Sequence, residues 1–425
     1  MLKNIIILIL YFFILSFTSQ NVHAQLNISY MSDIKDNSIH TLNIYSRDDK
    51  NAFPIIRLNS EEKIHLNFDY FDTEIQQLYY EIRHCNVNWN DSKLSEYKFM
   101  NGFSINYIDN SELSFNTNIE YTNFNLELPN DDISFKISGN YKIIVYKDEN
   151  KSDTLFISKF MVLNDKIPIK AKAKQASLTR YMDKYHEIDF SIDFSEANIF
   201  NPGTDLKTIV WQNGNINNRI QLKPLFINGQ TCSYDYNEEN IFKAGNEFRY
   251  FNCSNKNFAS RYIKSIDNTR DTTVFNLRND ENHYYDRYNF KRDINGNYKI
   301  SSYNSYNPDL EADYVYVNFT LKMKEPLKHD VYVYGKLSNW GISNKFKMRY
   351  NIKLKAYTLK VLLKQGYYNY QYVYVNKNKI IYDSIEGSFY QTENNYYIAI
   401  YKYENKLYSY KLVGFKRTNN SIINN

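Results

Sequence analysis

Apolar and polar residues alternate in short runs along most of this chain. That is the period of half-buried β-strands, not of helices. Early runs cover 39–45, 62–68 and 77–86, followed by 121–128, 141–146 and 155–163. A second group covers 185–194, 207–212, 219–227 and 247–252, and a third covers 314–321, 331–335, 356–363, 367–375 and 396–403. Turn sequences separate the runs: Ser138-Gly139-Asn140, Asn201-Pro202-Gly203, Asn213-Gly214, Asn228-Gly229 and Asn295-Gly296. No segment holds a long helical period. Short strands punctuated every ~8–12 residues predict immunoglobulin-like sandwiches. The polar joins at Asn164-Asp165-Lys166 and across 301–309 divide them. The expected fold is all-β: three tandem immunoglobulin-like β-sandwich domains in an elongated row, over 25–164, 165–309 and 310–425.

The one departure from alternation lies at the start. Lys3, an apolar run over 5–17 and the closing Val22-His23-Ala24 read as a signal peptide over 1–24, cut before Gln25. The run is shorter than the roughly 20 residues that cross a bilayer. The chain is therefore expected to be exported.

Composition adds what the protein does not do. The formal charge of +5 loses one unit with Lys3 and is spread along the chain, so no basic patch marks a nucleic-acid site. Aromatic residues make up 17 %, ample for cores and unlike a disordered chain. With three cysteines, Cys85, Cys232 and Cys253, this is not a disulfide scaffold. Cys232 and Cys253 are a candidate pair, against the alternative of three separate buried thiols. The seven histidines form no zinc-binding helical pair. There is no phosphate loop, dinucleotide fingerprint or nucleophile elbow, and Asp131-Asp132 and Glu238-Glu239 read as solvated loop pairs. No enzyme, cofactor, metal or small-molecule substrate is expected.

Tyr368, Tyr370, Tyr372 and Tyr374 fall on one face of a strand, as an inner ladder or an exposed aromatic surface.

Several segments, taken in order, carry a family resemblance. They are Pro54-Ile55-Ile56-Arg57-Leu58-Asn59-Ser60, Tyr80-Glu81-Ile82-Arg83-His84-Cys85-Asn86 with Trp89, Asn101-Gly102-Phe103, Ser138-Gly139-Asn140-Tyr141 and Gly245-Asn246-Glu247-Phe248-Arg249. Together they resemble the plug proteins of the Bacteroidetes type IX secretion system. The tail resembles early-set immunoglobulin-like domains, which include glycogen-binding modules. It does so through Val331-Tyr332-Val333-Tyr334-Gly335 with Asn339-Trp340, and through Glu386-Gly387-Ser388 with Gln391-Thr392-Glu393-Asn394.

The first resemblance implies a non-enzymatic periplasmic protein, peripheral to the outer membrane through protein contacts. Its partner would be the outer-membrane translocon barrel, whose periplasmic opening it would plug. On that reading the loop 89–103 supplies aromatic anchors, Trp89, Tyr97, Phe99 and Phe103, since aromatics dominate interface energy. The competing expectation is that these rings close the end of the first sandwich. The second resemblance implies glycan binding, with Trp340 stacking on a sugar ring or, alternatively, packing at a sandwich end.

Overall fold

The structure, a computed structural model, describes residues 31–420 apart from 47–48, 73–76, 104, 149–150, 152 and 378. The expected signal peptide lies outside the described residues. The chain is all-β. Among those residues the strands form three facing pairs of sheets and one short two-stranded ribbon.

In the first pair, one sheet runs in the order Ser32–Ile34, Thr154–Leu163, Gly139–Tyr146, Leu78–Cys85 and Ile105–Ile108. It faces Ile39–Ser46, Ile64–Tyr70, Thr122–Leu128 and Asn110–Leu113. Ile64, Leu66, Phe68 and Tyr70 point inward at every second position and meet Tyr80, Ile82 and Phe156 in one core.

The third pair sets Gly366–Asn376 against a sheet built on Tyr314–Lys322 and Ala356–Lys364. Its core takes Tyr368, Tyr370 and Tyr372, with Tyr374 packed against it, so the tyrosine ladder is an inner face.

The second pair holds the topological departure. Leu206–Gln212 pairs with Asn395–Glu404, from Leu206 opposite Lys402 to Gln212 opposite Tyr396. Ser409–Asn419 then completes that sheet. These C-terminal strands were expected in the last sandwich. Conversely, Arg249–Asn252 and Tyr298–Ile300, expected in the middle one, pair with Gly366–Asn376. The strand pairing therefore crosses the division drawn at 309. The reason is physical: alternation marks a strand but says nothing about which distant strand it joins.

The chain leaves the second pair near Gly245 and returns near Ser388, and the two crossings are tied together. Gly245 N–H donates to Ser388 Oγ at 3.0 Å, and Phe389 N–H and Thr392 Oγ1 donate to Gly245 O at 2.8 and 2.9 Å.

The three sheet pairs do not form a row, because each touches the other two. Between the first and second lies a separate apolar layer, where Trp89, Met161 and Leu163 meet Trp211, Tyr397, Ala399 and Leu412. Val210, Ile398 and Ile400 point the other way, into the second core. That sheet is thus buried on both faces. Between second and third, Asn217 Nδ2 donates to Trp340 O at 3.0 Å.

Between first and third, the Lys364 ammonium reaches Asp69 at 2.6 Å with both side chains all but fully buried. Asp69 also accepts from Tyr314 OH at 2.5 Å and Asn123 Nδ2 at 2.7 Å. Cys232 and Cys253 sit in different cores, so the candidate disulfide is not formed and all three thiols are free.

Removing one partner of a buried pair strands the other charge. Lys364→Met should therefore cost about 3–5 kcal/mol in denaturant unfolding, and adding Asp69→Asn should recover part of that loss. A loss below about 1 kcal/mol for Lys364→Met would mean the contact between first and third sheet pairs does not depend on this pair.

Candidate partner interface

The segment joining Leu78–Cys85 to Ile105–Ile108 is built turn by turn. Asn86 Oδ1 accepts from Asn88 N–H at 2.8 Å and Asn90 N–H at 3.2 Å, closing a side-chain-stabilised turn. Trp89, at positive φ, is directed inward by that turn. It is 8 % exposed and belongs to the layer between the first and second sheet pairs, with the Lys159 ammonium 5.5 Å from its ring centre.

One helical turn, Glu96–Phe99, follows. Phe99 is 3 % exposed and packs into the first core beside His84 and Tyr141. Tyr97, two residues earlier, points the opposite way and is 70 % exposed. Gly102 adopts φ +101° against Asp132, whose carbonyl oxygen would lie 1.8 Å from any Cβ there. Glycine is required at that position. The chain then turns Phe103 into solvent at 81 % exposure.

The four expected anchors therefore split. Trp89 and Phe99 are consumed by packing, while Tyr97 and Phe103 are exposed. Two residues that sequence reasoning missed join them. Ile105 and Tyr107 lie on an edge strand, at the same alternate positions as Phe103, and both are exposed. The alternation 103, 105, 107 was visible in the sequence, but which face it served was not. Leu113, at the end of the edge strand Asn110–Leu113, and Phe115 just after it are also exposed.

Two buried charge clusters elsewhere are paired within the fold. Arg249 is held by Glu386 and Asp280 at 2.9–3.1 Å, and Tyr370 and Tyr372 donate to Asp280. Glu187, Asp189 and Asp235 cluster closely, yet the Lys174 ammonium already bridges Glu187 and Asp189 at 3.0 and 2.5 Å. Burial lifts Asp189 to about 6 although Lys174 pulls it down. Trp340 is 5 % exposed, wedged between Phe248 and Gly296, where a Cβ would approach its ring within 2.3 Å. Its face is not open to a sugar. No helix among the described residues is long and apolar enough to cross a membrane.

Residues 39–164 match the family model described as the type 9 secretion system plug protein 1st domain. No curated protein matches the chain. Among solved structures it is similar to a hypothetical protein from Parabacteroides merdae ATCC 43184, with TM-score 0.89 and 33 % identity, covering 92 % of this chain and 100 % of that one.

The stabilities of three variants check the split. Trp89→Ala should cost about 3–5 kcal/mol, as for a large buried ring, whereas Tyr97→Ala and Phe103→Ala should stay within about 0.5 kcal/mol. Equal losses would place all four in the interior.

His84 is buried with neither ring nitrogen hydrogen-bonded, and burial lowers its pKa from 6.5 to about 4. The unfolded chain takes that proton first, so the stabilisation is complete above about pH 6.5 and is lost as pH falls toward 4. His84→Leu should flatten the stability profile in that window, and an unchanged profile would exclude His84 as its source.

Proposed function

We propose that this chain, which belongs to the type 9 secretion system plug protein family, docks on the outer-membrane translocon barrel from the periplasm and closes its periplasmic opening. The observation that carries the reading is the exposure of Tyr97, Phe103, Ile105 and Tyr107 along one short stretch of the matched segment, called the ridge below. Exposed apolar side chains gathered on one surface are what a partner site would use. A barrel wide enough to pass folded cargo leaves an aqueous channel unless something fills it. Filling it calls for a stiff body and a few anchors, with no catalytic group. Three sheet pairs in mutual contact provide the stiffness, and the ridge provides the anchors. Because release must remain possible, the contact is expected to be of modest area with a polar rim. The alternative reading, an extracytoplasmic glycan-binding protein, loses its principal anchor with the burial of Trp340.

Affinity purification of the tagged mature chain from detergent-solubilised envelope, followed by mass spectrometry, tests this directly. The expected result is near-stoichiometric recovery of one very large outer-membrane barrel. The triple variant Tyr97→Ala, Phe103→Ala, Tyr107→Ala should lose the barrel while keeping its unfolding midpoint. Each true anchor contributes about 2 kcal/mol, or roughly 30-fold in affinity. Recovery of the wild-type chain alone, with the translocon intact, would overturn the proposal.

A further inference from the structure

A second candidate surface lies away from the ridge. A cleft of about 680 Å³ opens between the first and third sheet pairs, within the range of ligand sites. Its apolar lining includes Ile39, Leu42, Tyr298, Leu363 and Tyr368. Two properties of its walls point to one class of occupant.

The first is charge. Lys336, Lys345 and Lys364 border the cleft, as do Asp33 and Asp36. Lys364 is taken by Asp69, Asp33 by Lys35 at 2.7 Å, and Asp36 accepts from Ser38 N–H at 2.7 Å. Lys336 and Lys345 are left over. The Lys336 ammonium donates to Lys50 O at 2.9 Å and lies over the Tyr298 ring. Lys345, exposed at the rim, approaches His40 Nδ1 at 3.3 Å. Neither makes an ion pair among the described residues, although Asp49 lies within electrostatic range of Lys336. Burial lowers Lys336 to about 8, the mark of a cation short of compensating charge.

The second is a strand edge that has no partner strand among the described residues. Among the described residues Ser32–Ile34 is the outermost strand of its sheet, although Ser32 itself is only 6 % exposed. Met31 O accepts from Lys159 N–H and Lys35 N–H donates to Leu155 O, each at 2.8 Å. Residues 31, 33 and 35 therefore turn toward Thr154–Leu163, and Ser32 and Ile34 direct their N–H and C=O groups outward. Both border the cleft. An edge with unpaired backbone groups is a template for an added strand.

We propose that this cleft binds an extended acidic peptide segment. Its main chain pairs with the open edge of Ser32–Ile34, and its side-chain carboxylates meet Lys336 and Lys345. The site shares no residue with the ridge and does not depend on barrel docking.

Fluorescence anisotropy on the full mature chain tests it. The probe is a labelled, C-terminally amidated octapeptide alternating glutamate and valine. Two controls accompany it, one with glutamine for glutamate and one with alternate amides N-methylated. The acidic probe should bind, the glutamine probe about tenfold more weakly, and the N-methylated probe not measurably. Lys345→Gln should weaken the acidic probe about tenfold, with the glutamine probe and the unfolding midpoint unchanged. If Lys345→Gln proves unstable, Lys336→Met takes its place. Equal affinity for acidic and glutamine probes, insensitivity to the lysine variant, or retained binding of the N-methylated peptide would each overturn the proposal.

Discussion

The sheet shared by Leu206–Gln212 and Asn395–Glu404 is the constraint on which the rest of the structure depends. It is apolar on both faces. One face is the wall of the second core, and the other carries Trp211, Tyr397 and Tyr401 against the first sheet pair. A sheet of that kind cannot stand alone in water. It obliges the first pair to cover it, and Trp89, Cys85 and Met161 supply the cover. The same sheet takes strands from both sides of the excursion, so everything between Gly245 and Ser388 is anchored at both ends. A body pinned at two adjacent points has little rotational freedom. The Asp69–Lys364–Tyr314 contacts remove most of what is left.

This arrangement explains how aromatic residues are apportioned. Within 89–107, rings that face the doubly covered sheet or the first core are spent on cohesion, and rings on the outer edge are not. Tyr97 and Phe99 sit on opposite sides of one helical turn and fall on opposite sides of that division. The Gly245-Asn246-Glu247-Phe248-Arg249 and Glu386-Gly387-Ser388 segments, which carry separate resemblances in the sequence, turn out to be the two halves of one junction. Asn246 Nδ2 donates to Glu386 O at 2.8 Å, and Arg249 pairs with the Glu386 carboxylate. Their conformations are set by the crossing, and any role in recognition would have to be compatible with it.

What was legible in the sequence was local. Alternation located many of the strands and placed Tyr368, Tyr370 and Tyr372 on one face; the family resemblance, read over roughly 25–309, is matched by the family model over 39–164. What was not legible was any property that depends on a distant partner. The run 396–403 reads as a strand wherever it goes, and only its pairing with Leu206–Gln212 shows where it belongs. Trp89 looks like an anchor because tryptophan often is one, but its burial is decided by Trp211 and Tyr397, over a hundred positions away. The cleft is harder still. Its lysines lie about 300 residues from the strand edge beside them, and no period or motif links the two.

The three free cysteines acquire a meaning from where they lie. Cys85 belongs to the layer between the first and second sheet pairs, Cys232 to the second core and Cys253 to the third. Burial pushes their thiols up to about 12, 11 and 12, so none offers a thiolate while its surroundings are closed. In the closed fold these thiols are shielded from attack. Each sulfur becomes reactive only when its own surroundings open, so the three thiols separately report the opening of the layer, the second core and the third core.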